Sequence, residues 1–332
     1  MTGFREDILA QPDNLRRSAA VFLDALGGAD LSRFEEGPLL FTGMGASLFA
    51  VVPAASAVRA GGRAAWAMSP AAVLESNGGM SAWAFVGVSQ SGRSTETIDV
   101  FRRLTGPRLA LTNTGSGPLA DAADLALPIG SADDAAISVL THTASLFAAA
   151  SLTARLGGPP LDIGASQLAD ALAQTIEQAE VGVDRFAGRL DGIRALDVIG
   201  GSAWLAAAGY TALMVREGAR VSTAWFETHQ YLHGPIEVAE PGVGAIVFGD
   251  GREVPLAQDL AAYGVPVLLV TQAHAEADQA LEVLRLPRLE PLAASVVQPV
   301  PGQWLAEAMG RRRGIAAGAF RHHQENTKVQ LR

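Results

Sequence analysis

The sequence has no cysteine and a single lysine, Lys328, all its other strong bases being arginine. Without cysteine there are no disulfides, no thiolate metal sites and no cysteine nucleophile. Positive charge is also in deficit: 25 Lys and Arg stand against 34 Asp and Glu, a formal net charge of −9. A broad nucleic-acid surface needs clustered bases, so that class of partner is not expected. A small phosphate ester is still allowed, because backbone N–H groups and hydroxyls hold it with little net charge. Long apolar runs are scarce. The one uncharged stretch of near-bilayer length, residues 135–154, carries Ser138, Thr141, His142, Thr143, Ser145, Ser151 and Thr153. It reads as a buried helix rather than a membrane span. Residues 1–16 place Glu6, Asp7 and Asp13 among their bases and lack the basic-then-apolar plan of a signal peptide, so a cytoplasmic protein is expected.

What is present is apolar residue in quantity, 49% of 332 positions against 18% charged. That suffices for two packed cores and argues against disorder. Short apolar runs alternate with longer helical ones. Strands are expected at 39–42, 64–68, 83–88, 108–112 and 125–128, with helices between them. Gly157-Gly158-Pro159-Pro160 reads as a linker. After a long helix near 165–190 the alternation restarts, with strands expected at 196–199, 244–248, 265–270 and 283–286 and a last helix at 303–312. Each half thus opens with a strand, a glycine-rich turn and a helix. The expectation is an α/β chain of two doubly wound parallel sheets in tandem, flavodoxin-like three-layer sandwiches, at 1–160 and 161–332.

Three segments carry chemistry. Ser89-Gln90-Ser91-Gly92-Arg93-Ser94-Thr95 stands where a buried strand ends and a helix begins, the place where open α/β sheets bind ligands. Its hydroxyls, the turn at Gly92 and the helix start suit a phosphate monoester; an N-cap alone would need only one of those serines. Gly43-Met44-Gly45-Ala46-Ser47 is a weaker signal, with Ser47 a phosphate donor or a simple cap. It lacks the third glycine of a dinucleotide fingerprint, and the chain has no Walker pattern. The third segment joins Glu217 with His229 and His233 of the stretch ending Gly234-Pro235. These groups suit proton transfer near neutral pH, or are incidental to a surface loop. His-x3-His has no accompanying acidic ligand motif, and neither metal nor cofactor is expected.

Together the segments resemble the SIS (sugar isomerase) family, in particular the isomerase half of glucosamine-6-phosphate synthase and its stand-alone phosphosugar isomerase and deaminase relatives. The likeness starts at Asp7-Ile8-Leu9-Ala10-Gln11-Pro12, passes through Ser89-Gln90-Ser91-Gly92 and reaches His233-Gly234-Pro235. It implies phosphate held by Ser47, Ser89, Gln90, Ser91 and Ser94, and sugar contacts near Ala136 and Ser138. It implies ring opening by His233, proton transfer between C1 and C2 by Glu217, and an imine at Lys328. It also implies a homodimer with shared active sites. The chain departs from the family's pattern at Met214 and Tyr210, in place of a lysine and a glutamate, and at Arg93-Ser94, in place of Glu-Thr, and no glutaminase domain is expected. Aminotransfer from glutamine is therefore not expected. The expected activity is aldose-ketose isomerisation or aminosugar-phosphate deamination on a hexose or hexosamine 6-phosphate. The alternatives are a fructosamine-6-phosphate deglycase and a non-catalytic sugar-phosphate sensor.

Overall fold

Strands of parallel sheets are covered on both faces, so they read as continuous apolar runs rather than alternating ones. The computed structural model, which describes residues 3–76, 80, 82–322 and 325–330, bears this out in two five-stranded parallel sheets. The described chain divides into two compact units. The first-sheet unit draws on residues 11–133, 140–169 and 321–332, and the second-sheet unit on 1–10, 134–139 and 170–320.

Helix α1 spans Gly3–Gly27 and supplies residues to each unit. In the first-sheet unit the order runs β1 (Leu39–Gly43), α2 (Ala46–Ala60), β2 (Ala65–Met68), α3 (Pro70–Leu74), β3 (Ala84–Val88), α4 (Thr95–Arg103), β4 (Arg108–Thr112), α5 (Pro118–Asp121), β5 (Leu125–Pro128) and α6 (Leu140–Leu152). The sheet order is β2-β1-β3-β4-β5. Side chains alternate between its faces. Leu39, Phe41, Val86, Val88, Leu109 and Leu111 pack with Val51, Val58 and Ala148 from α2 and α6. Leu40, Phe85 and Ala110 pack on the opposite face with Ile98, Val100 and Phe101 from α4. That is the three-layer arrangement expected of a doubly wound sheet.

Helix α7 (Ala165–Arg189) leads to the second-sheet unit: β6 (Ala195–Gly200), α8 (Leu205–Ala219), β7 (Thr223–Glu227), α9 (Thr228–Leu232), β8 (Val243–Phe248), α10 (Glu253–Ala262), β9 (Val267–Thr271), β10 (Leu281–Arg285), α11 (Pro291–Val297) and α12 (Val300–Arg312). Its sheet order is β10-β9-β8-β6-β7, the same winding as the first. In each sheet the order reverses once, between β1 and β3 and between β6 and β8. Ligands of open α/β sheets lie at such reversals, beyond the carboxyl ends of the strands.

The uncharged stretch at 135–154 is helical only from Leu140, and α6 is buried among its own unit's elements. Before it, residues 134–139 belong to the second-sheet unit, where the Asp134 carboxylate accepts the Val139 amide at 2.8 Å. Among the described residues no helix is long and apolar enough to cross a membrane.

Candidate functional site

The serine segment is a tight turn in which the hydroxyls of Ser89 and Ser94 face each other. β3 ends at Val88, and the Gly92 amide donates to the Ser89 carbonyl at 2.9 Å. Gly92 has φ +63°, and a β-carbon there would stand 3.0 Å from the Ser116 carbonyl oxygen. A glycine is required on both counts. Ser89 is buried, and its Oγ lies 3.0 Å from Ser94 Oγ, with the Ser94 amide donating to it at 3.4 Å. Gln90 donates from Nε2 to Asp133 at 3.3 Å. The amides of Gln90 and Ser91 have no hydrogen-bond acceptor among the described residues. Helix α4 starts at the next position after Ser94 and presents its positive end to the same turn.

Ser47 stands in the first turn of α2, beyond the end of β1, which pairs with β3 through Gly43 and Val88. It therefore flanks the same reversal point as Ser89. The turn that carries it is pinned from α6: His142 is buried, and its Nδ1 lies 3.1 Å from the Ala46 carbonyl oxygen. A carbonyl only accepts, so Nδ1 carries the proton. Burial pushes His142 down to about 3, and the ring is neutral at any ordinary pH.

Lys328 is exposed, yet its backbone is ordered against the serine turn. It forms an isolated antiparallel bridge with Ser94. The Val329 amide donates to the Arg93 carbonyl at 2.9 Å, and Arg93 Nε donates back to the Val329 carbonyl at 2.8 Å. Thr95 Oγ1 adds a bond to the Asn326 carbonyl at 3.1 Å. Arg93 is thus the residue that fastens this segment.

The remaining candidates lie in the second-sheet unit. Glu217 sits near the end of α8, and burial raises its carboxyl from the usual 4.5 to about 7. Such an acid is divided between its two forms at neutral pH, the condition for accepting and returning a proton. Tyr210 and Met214, two departures on the same helix, are fully buried. Tyr210 donates its hydroxyl to the Ser138 carbonyl at 2.7 Å and accepts from Gln303 Nε2 at 3.3 Å. It therefore holds the 134–139 segment, in which Ala136 lies against Gly318. Asp7 holds the same segment by accepting the Ala135 amide at 2.7 Å. His233 closes α9 at the surface, and His229 lies within that short helix. The structure thus brings Ser47, Ser89, Gln90, Ser91, Ser94 and Lys328 together in one unit, and Glu217, His233, Ala136 and Ser138 into the other. Among the described residues no group of three or more His, Asp or Glu side chains is placed to hold a metal ion.

The positioning roles of Asp7, His142 and Tyr210 are not visible in sequence spacing, since each partner is far along the chain. For His142 and Tyr210 the only local signal is a polar group embedded in an apolar run. Tyr210→Phe is expected to destabilise the fold by about 1–2 kcal/mol in urea unfolding, because the Ser138 carbonyl and Gln303 lose their shared partner.

No family model matches the chain, and no curated protein matches it in sequence. Solved structures do. The C-terminal domain of glucosamine-fructose-6-phosphate aminotransferase from Francisella tularensis superposes with a TM-score of 0.82 at 17% identity, over 94% of this chain and 96% of that one. Tagatose-6-phosphate ketose/aldose isomerase from Escherichia coli gives 0.78 at 17%, over 98% and 97%. Glucosamine-6-phosphate deaminase from Thermotoga maritima gives 0.74 at 17%, over 97% and 98%. The chain has the fold of these proteins. Its neighbours by fold include both phosphosugar isomerases and a deaminase, the two activities expected from the sequence motifs.

Proposed function

We propose that the chain is a phosphosugar isomerase or aminosugar-6-phosphate deaminase, working on a hexose or hexosamine 6-phosphate. The observation that carries this reading is the serine turn. A half-buried hydroxyl pair, two amides without acceptors among the described residues and a helix start converge where doubly wound sheets bind ligands. Ser47, Ser89, Gln90, Ser91 and Ser94 hold the phosphate, which fixes the sugar by its remote end and leaves the carbonyl end to react. His233 assists ring opening, in a homodimer that shares its active sites. Glu217, as carboxylate, takes the proton from C2 and returns it to C1. With a hydroxyl at C2 the product is the ketose. With an amine at C2 it is a C2 imine, which water hydrolyses to ketose and ammonia. Ala136 and Ser138 line the sugar's path, held in place by Tyr210 and Asp7.

The deciding experiment incubates the chain with glucose 6-phosphate, glucosamine 6-phosphate and a fructosamine 6-phosphate in D2O, followed by NMR. Ketose formation with deuterium at the carbon next to the carbonyl is the expected result, with ammonia released from the amino sugar. Tight binding without turnover of any of them would move the reading to a sensor, and amino-acid release from the third to a deglycase.

Lys328 is assigned the imine with the keto form, because it is the chain's only lysine and its backbone is ordered beside Ser94. Borohydride reduction in the presence of fructose 6-phosphate should add one sugar per chain, found on Lys328 by peptide mass spectrometry. An unlabelled lysine removes the imine from the scheme and leaves proton transfer to Glu217.

A further inference from the structure

The two sheets wind alike, so the second-sheet unit has its own crevice between the ends of β6 and β8. In the first sheet the loop after β3 reaches its helix through Ser94 and Thr95, two hydroxyls. In the second the loop after β8 reaches α10 at Glu253, a carboxylate. A cavity of about 380 Å³ lies there, lined by Ser202, His229 and Arg252 and by three acids, Glu227, Asp250 and Glu253.

Glu253 is only 7% exposed. Its Oε1 accepts the Thr228 hydroxyl at 2.6 Å, and its Oε2 accepts the Gly251 amide at 3.1 Å. The backbone makes room for it. A β-carbon at Gly201 would stand 2.7 Å from Oε1, and one at Gly249 would stand 2.5 Å from Oε2. A hydroxyl donor, an amide donor and the first turn of a helix are what a bound anion asks for, and Arg252 lines the same cavity. The seat is built for an oxyanion and is filled by one from the chain itself. A phosphate entering it would find both donors already taken by the carboxyl oxygens.

We infer that Glu253 is a built-in anion that closes the second crevice to phosphate and confines phosphate esters to the serine turn. Glu253 is thus a specificity-determining residue: it sets one phosphate ester per chain rather than two. The claim about the serine turn rests on the proposed function; the claim that Glu253 occupies an anion seat does not.

The test titrates inorganic phosphate into the full chain by isothermal calorimetry, with circular dichroism to confirm folding. The wild type should bind one phosphate, and Ser89→Ala with Ser91→Ala should bind none. Adding Glu253→Ser to that double variant should restore one site, at least about tenfold tighter than any residual binding. Adding Glu253→Gln should not, since the amide still fills the seat. Glu253→Ala serves as a second opening variant should the serine not fold. Phosphate binding that survives in the double variant and is lost on Thr228→Val overturns the inference, as does a folded opening variant that binds none. Failure of the function reading looks different: the wild type then binds no phosphate, while the opened variant does.

Discussion

Changing Ser89 and Ser91 together to alanine will weaken binding of glucose 6-phosphate at least about 100-fold by isothermal calorimetry. A hydrogen bond to a charged group contributes about 1.5–3 kcal/mol, so two lost hydroxyls remove roughly 3–6 kcal/mol. Each 1.4 kcal/mol is about tenfold in affinity. Ser89 matters beyond its own bond. Its Oγ meets both the Ser94 hydroxyl and the Ser94 amide, so its loss also frees the residue that immediately precedes α4. The fold should survive, because β3 and α4 are anchored by Phe85, Ile98 and Phe101, all fully buried. Unchanged affinity in a folded double variant would remove the phosphate from this turn and the sugar chemistry with it.

Glu217→Gln will abolish exchange of the sugar's C2 proton with D2O, by about a thousandfold in rate, with affinity for the phosphate ester within about threefold. The size follows from the loss of the proton carrier, and the unchanged binding from the serine turn lying on other elements. The wild-type rate should rise with pH through about 7, where Glu217 becomes carboxylate, and then level. The same shift has a consequence for stability. Below pH 4.5 the group is protonated in both folded and unfolded chain and has no effect. As pH rises from 4.5 to about 7 the unfolded chain ionises while the folded one keeps its proton, so stability falls, and above that the full cost persists. The glutamine variant escapes this cost. It should match the wild type at pH 4 and exceed it at pH 8 by an amount on the order of 1–2 kcal/mol, reduced by the group's partial exposure. Persistent exchange in this variant would require another base.

Nearly all of the winding could be read from the chain because parallel strands announce themselves. Leu39, Leu40 and Phe41, or Leu268, Leu269 and Val270, are buried on both faces and leave continuous apolar runs. The exception is β7. Thr223-Ala224-Trp225-Phe226-Glu227 is an edge strand with Trp225 45% exposed, so half of its surface imposes no apolar requirement and the run is too mixed to stand out. The start of α6 is hidden in the sequence for a different reason: residues 134–139 are as uncharged beyond Asp134 as the helix itself, and only the Asp134 bond to Val139 shows where the helix cannot begin.

The serine turn was legible because its chemistry is local, seven consecutive residues at one strand end. The seat of Glu253 was not, since it is assembled from Gly201, Thr228 and Gly251, which share no local pattern. The same holds for Tyr210. In sequence it is one polar group among apolar neighbours; in the fold it is the hydroxyl that holds Ser138.

The pairing of Arg93 with Val329 joins two points of the chain between which the whole second sheet is encoded. Translation must therefore traverse that entire stretch before the clasp beside Ser94 can form. A nascent polypeptide halted earlier carries the turn without its fastening, and completion of the serine turn becomes a late event in biosynthesis.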